Sequence, residues 1–193
     1  MTSRRRPAGP APEAVGLHEA ALAYLARYAA TEFGLRRVLE RRVERWARRA
    51  EGDAEDIAAQ AAAARDMVRD VVARLVAAGA VNDAAYAQAR ASSLVRSGRS
   101  LRAVALHLAA KGVDPAIARD ALPPDDASEL AAALVLARRR RIGPFRLSGP
   151  LDEAGRRREL GVLARAGFPQ PVARQALAMD TGQAEELVSR LRR

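Results

Sequence analysis

A run of caps and breakers between Asn82 and Leu122 (NDAAYAQARASSLVRSGRSLRAVALHLAAKGVDPAIARDAL) leaves room there only for short helices. Asp83 stands where an N-cap is wanted, ahead of Tyr86, Ala87, Arg90 and Leu94 at helical spacing. Ser97-Gly98 ends that helix, and Ser100 can accept from the orphan amides of the next. Leu101, Val104, Ala105 and Leu108 form one apolar stripe at i, i+3, i+4, i+7. Gly112 sits where a left-handed residue closes a helix. Asp114-Pro115 joins an N-cap to an N1 proline, and Pro123-Pro124 forbids continuation. The stretch predicts three helices.

From Gly112 to Gly167, an offset of 55 residues, the second half of this pattern returns. Val113, Ile117, Ala118, Arg119, Ala121 and Leu122 correspond to Phe168, Val172, Ala173, Arg174, Ala176 and Leu177. Leu108 corresponds to Leu163. Apolar positions and turn glycine recur together, as expected of one three-helix unit used more than once.

Alanine supplies much of the 49% hydrophobic content, and aromatics are only 4%. Units with so thin a core need neighbours to stack on. The expected fold is therefore all-α: three tandem three-helix repeats in an elongated, curved arrangement. Cysteine is absent, which excludes disulfides and thiolate chemistry. The N-terminus has no apolar segment of the secretory kind, and no apolar run approaches a membrane span. A cytoplasmic monomer with no membrane partner is expected. The formal charge is +10, carried by 32 arginines and Lys111. Arginine and alanine richness fits a GC-rich genome, but the excess charge still attracts polyanions.

Four segments follow in order. Residues 1–16, with Arg4 to Arg6 and clustered prolines, read as a disordered tail. Residues 17–80 form a first repeat with helices over Leu17–Ala29, Glu32–Glu51 (capped by Thr31) and Asp56–Ala78 (capped by Asp53). It is lengthened around Trp46 to Arg65, and Trp46 is read as packing. Residues 81–123 are the second repeat. Residues 124–193 are the third, with helices over Ala127–Arg141, Leu151–Ala166 and Pro171–Ala178 and a final turn capped by Asp180 or Thr181. Pro123 to Asp126 is a turn and cap, and Ile142 to Pro150 a stiff Gly/Pro loop. Relative movement of the units is expected at both connections.

The punctuated signature resembles the RecX family of recombination regulators. The residues that carry it are Asn82-Asp83-Ala84-Ala85-Tyr86-Ala87, Arg96-Ser97-Gly98-Arg99-Ser100 and Leu108-Ala109-Ala110-Lys111-Gly112-Val113. The lead-in Leu75 to Gly79 and the step Arg141-Ile142-Gly143-Pro144-Phe145-Arg146 fit as well. The chain departs from the pattern at Asn82, at Gly34, where a capping-box glutamate is usual after Thr31, and in the lengthened first repeat. The resemblance implies three tandem three-helix repeats. It also implies binding along the groove of the RecA–DNA filament, with inhibition of recombinase, ATPase and coprotease activity in DNA repair and the SOS response, and some affinity for DNA.

No catalytic constellation is visible. His18 and His107 stand alone, with no metal-ligand spacing and no phosphate loop, so neither an enzyme nor a cofactor is expected. Candidate contacts to RecA or DNA are Arg96, Arg99, Arg102 and Lys111 on the second repeat, and Arg138, Arg139, Arg140, Arg141 and Arg146 on the third. Asp83, Tyr86 and Gly112 are assigned to capping, packing and turn geometry. The alternative is a non-specific binder of single- or double-stranded DNA acting without RecA. A helix-turn-helix reading is weak, because Leu101 to Ala110 offers only Arg102 and His107 to base edges. A helical scaffold with an unrelated partner is the third reading.

Overall fold

The computed structural model describes residues 9–124, 126–147, 149 and 151–192. Arg4 to Arg6, Asp125 of the first connection, and Ser148 and Pro150 of the second lie outside them. The described residues form ten α-helices and no strand. The contacts divide the chain into two compact units, one ending at Tyr86 and one beginning at Ala87.

The first unit contains α1 (Ala14–Leu25), α2 (Glu32–Ala47) and α3 (Ala54–Ala77). Leu35, Leu39 and Val43 place one apolar residue per turn on α2, and they pack with Val68, Val71, Val72 and Leu75 of α3 and Leu17 and Ala21 of α1. The Thr31 hydroxyl accepts from Gly34 N–H at 2.9 Å, and Asp53 accepts from Glu55 and Asp56. Several expected boundaries shift: α1 ends at Leu25 rather than Ala29, and α3 begins at Ala54 rather than Asp56. The first helix begins at Ala14, inside the segment read as tail, and the Trp46 indole donates to the Gly9 carbonyl at 3.0 Å. The second helix stops at Ala47 rather than Glu51.

Asp83 corrects a second expectation. It is not the N-cap of α4 (Asp83–Arg96) but its first residue. Asn82 accepts from Ala85 N–H at 2.9 Å and does the capping. The Asp83 carboxylate reaches back to the N-terminus of α2 and accepts from Glu32 N–H at 2.8 Å. An orphan amide at the first residue of α2 is thus satisfied from 51 residues away.

The second unit holds most of α4, then α5 (Leu101–Ala110), α6 (Pro115–Asp120), α7 (Asp126–Arg140), α8 (Glu153–Arg165), α9 (Gln170–Ala178) and α10 (Thr181–Arg192). Ser100, Asp114, Asp152 and Asp180 accept at the starts of α5, α6, α8 and α10. The offset repeat is real in geometry. Val113 N–H bonds the Leu108 carbonyl at 3.1 Å and Phe168 N–H bonds that of Leu163 at 3.2 Å, each across a glycine of positive φ. Arg99 to Leu94 across Gly98, and Ile142 to Ala137 across Arg141, repeat the same closure. Arg141 does so at φ 55, without glycine's freedom.

The C-terminus is a full helix rather than a turn. Ala184 and Val188 of α10 are buried, and this helix packs on α7. Second and third repeats meet at Gly98. Gly98 lies against α7 so closely that an added Cβ would sit 3.0 Å from the Leu136 amide nitrogen and 3.3 Å from the Ala132 carbonyl.

Two glycines of similar φ separate packing from backbone strain. A Cβ added at Gly79 (φ 71) would have nothing within 4 Å, whereas one at Gly98 (φ 83) would face helix backbone. Gly79→Ala should cost about 1–2 kcal/mol from φ alone. Gly98→Ala should cost that plus about 1–3 kcal/mol of overpacking. Urea denaturation of both variants measures the difference, and equal losses would show that α7 moves aside freely.

Candidate polyanion-binding cleft

Three helices of the second unit end at one place. The turn after α4 brings Arg99, the last turn of α7 brings Arg139 and Arg140, and the last residue of α8 is Arg165. Together with Gly98, Leu136, Val162 and Ala166 they line a cleft of about 490 Å³ with no carboxylate in its wall. Arg139 is oriented by donation to the Ser97 carbonyl at 3.1 Å. Arg165 folds back over Gly161, whose missing side chain leaves space for the guanidinium. A helix C-terminus carries roughly half a negative charge, so some cation is favoured at each of the three. Four guanidiniums exceed that by more than two charges. A low-dielectric cleft focuses such an excess on an incoming anion.

The structure thus brings together Arg99, Arg139 and Arg140 from the sequence candidates and adds Arg165. The others lie elsewhere. Arg96 and Lys111 are exposed outside the cleft. Arg102 lies over Gly167 beside Phe168 and Glu129. Arg138 stands 6.0 Å from the Phe145 ring centroid, and Arg141 is the left-handed closing residue of α7. Arg146 is held internally: it grips Glu159 with Nε at 2.9 Å and a terminal nitrogen at 2.6 Å. Tyr86 is half-buried, and Gly112 has the expected positive φ.

The cleft is held in shape by the start of α5. The Ser100 hydroxyl, fully buried, accepts from Ala103 N–H and donates to the Ala166 carbonyl at 2.7 Å. Leu101 N–H donates to the buried Glu129 carboxylate at 2.7 Å. Burial raises the Glu129 pKa, the Leu101 bond opposes this, and Asp126 adds to the rise. Glu159 is the counterpart. Burial pushes it upward, but the Arg146 hydrogen bonds, the Gly143 N–H at 3.0 Å and the Arg146 charge outweigh that and leave it below the usual value. His107 accepts from Arg90 Nε at 3.1 Å, and burial with Arg90, Lys111 and Arg99 nearby lowers its pKa.

Comparison with known proteins agrees with this architecture. Residues 82–122 match the family described as RecX, second three-helix domain. The chain is 41% identical over 163 residues to the regulatory protein RecX of Myxococcus xanthus, covering 83% of each protein. It is 38% identical over 110 residues to the regulatory protein RecX of Agrobacterium fabrum, covering 57% of this chain and 58% of that protein. The crystal structure of RecX from Lactobacillus salivarius shares the fold at a TM-score of 0.64, with 20% identity, covering 85% of this chain and 94% of that one.

The two buried glutamates should act on stability with opposite signs. Glu159, depressed, contributes stability above the ordinary 4.5 that is lost as pH falls through its lower folded value. Glu129, raised, favours the folded state when protonated, so its contribution falls as pH rises past 4.5 through its higher folded value. Denaturation curves across this range should show Glu159→Gln flattening the acid limb. Glu129→Gln should keep the Leu101 bond and remove the decline on the upper side, whereas Glu129→Ala should cost about 1–3 kcal/mol at every pH.

Proposed function

Because the chain belongs to the RecX family, we propose that it regulates the RecA recombinase by binding the RecA–DNA filament, with the arginine cleft as a principal contact. The observation that carries this reading is the convergence of Arg99, Arg139, Arg140 and Arg165 from three separate helix ends. Cations without carboxylate partners at one concave point suit a carboxylate cluster on a protein filament or the phosphates it encloses. The outcome we propose is inhibition of strand exchange, ATP hydrolysis and coprotease stimulation. Weak contacts on the several repeats add up because they are joined in one chain. The relatives are named as regulatory proteins, which fits action by binding rather than catalysis.

Direct DNA binding without RecA is the second reading, favoured by the net charge of +10. It would act through phosphates. The start of α5, which a helix-turn-helix would insert into the major groove, is covered here by Ser100, Ala166 and Glu129.

The test is RecA's single-strand-DNA-dependent ATP hydrolysis, titrated with this protein at fixed salt. The wild type should inhibit below the stoichiometry needed to coat the DNA, and Arg99→Glu/Arg165→Glu should need about tenfold more protein for the same effect. Unchanged inhibition by that folded variant would remove the cleft from the mechanism. Inhibition only on coating the DNA, with binding that falls steeply with salt, would establish the second reading.

A further inference from the structure

A second cavity, sharing no residue with the arginine cleft, lies in the third repeat. Its volume is about 560 Å³, within the range of ligand-binding pockets. Leu151, Leu160, Leu177 and Ala178 give it an apolar floor and wall. Arg146, Arg156, Arg157 and Arg174 stand around them with two carboxylates, Glu153 and Glu159. Each carboxylate is already matched: Glu159 by Arg146 and Glu153 by Arg157. Four cations less two anions leaves a surplus of two, on Arg156 of α8 and Arg174 of α9. Arg156 is aimed by donation to the Leu151 carbonyl at 2.7 Å. The wall itself is stiff, because Glu159 clamps Gly143 and Arg146 together and Gly143 packs directly against Leu177.

We propose that this pocket is a docking site for an acidic peptide segment of a partner protein, taking one aliphatic side chain into the apolar floor between flanking carboxylates. Charge complementarity selects the occupant. Two unmatched guanidiniums on different helices call for anions on both sides of an apolar group, which one carboxylate or a neutral ligand does not supply. An aliphatic anchor in a preformed pocket inside a charged rim is the arrangement that concentrates binding energy in few residues.

The probe is a capped peptide, Asp-Glu-Leu-Glu-Asp, titrated calorimetrically into the full-length protein at low salt without RecA or DNA. Saturable one-to-one binding is expected. Arg174→Glu, an exposed change, should weaken it about tenfold, and Ala178→Tyr, which fills the apolar lining, should do the same with the charge intact. Replacing the peptide leucine by glycine should weaken it similarly. Absence of saturable binding, equal binding of the glycine peptide, or binding indifferent to both variants would overturn the proposal. Thermal melts confirm that each variant is folded. Since RecA is not in the assay, failure here leaves the regulatory reading standing.

Discussion

The start of α5 is buried between repeats, and a buried helix N-terminus must have its amides satisfied. Ser100 does this from within the repeat and Glu129 from the next, while the Ser100 hydroxyl also holds the end of α8. Two side chains thereby join three helices. Gly98, pressed against α7, can lie there only because this junction holds α4 and α5 at that distance. The arginine cleft forms on the outside of the same junction, so its shape follows from a capping requirement.

Arginine density is the second constraint. Like charges one turn apart repel, and most of the arginines are tolerated because they are solvated. Some are matched within the fold: Arg36 with Glu32, Arg69 with Asp66, Arg146 with Glu159. The cleft arginines have no such partner among the described residues, and they lie where three backbone termini soften but do not cancel their charge. The absence of internal neutralisation makes this group, rather than the more numerous arginines of α2, the better place to look for an anionic partner.

Much of the local structure can be read directly. Ser100, Asp114, Gly112 and the glycine offset to Gly167 are legible because caps and left-handed turns act over three or four residues. The extent of α10 is equally legible, since Ala184, Leu187, Val188 and Leu191 repeat at i, i+3, i+4, i+7. Other features have no local signal. Asp83 caps a helix 51 residues upstream, Glu129 a helix 28 residues away, and Arg165 becomes part of a site only when α8 is laid beside α7. Arg146 looks like its neighbours in an arginine-rich step, and only Glu159 distinguishes it.

Helix α7 is buried at Glu129 through Val135 and again at Ala137, so almost its whole circumference faces protein. Its alanines let α9 and α10 approach closely but leave its middle no polar face to show to water. Its middle has no partly solvated state to visit by fraying. Peeling away either neighbour would expose an apolar rod whose own side chains cannot stabilise it alone. In hydrogen-exchange terms, the middle of α7 should be the slow-exchanging centre of the second unit, with amides that open only when the whole unit opens.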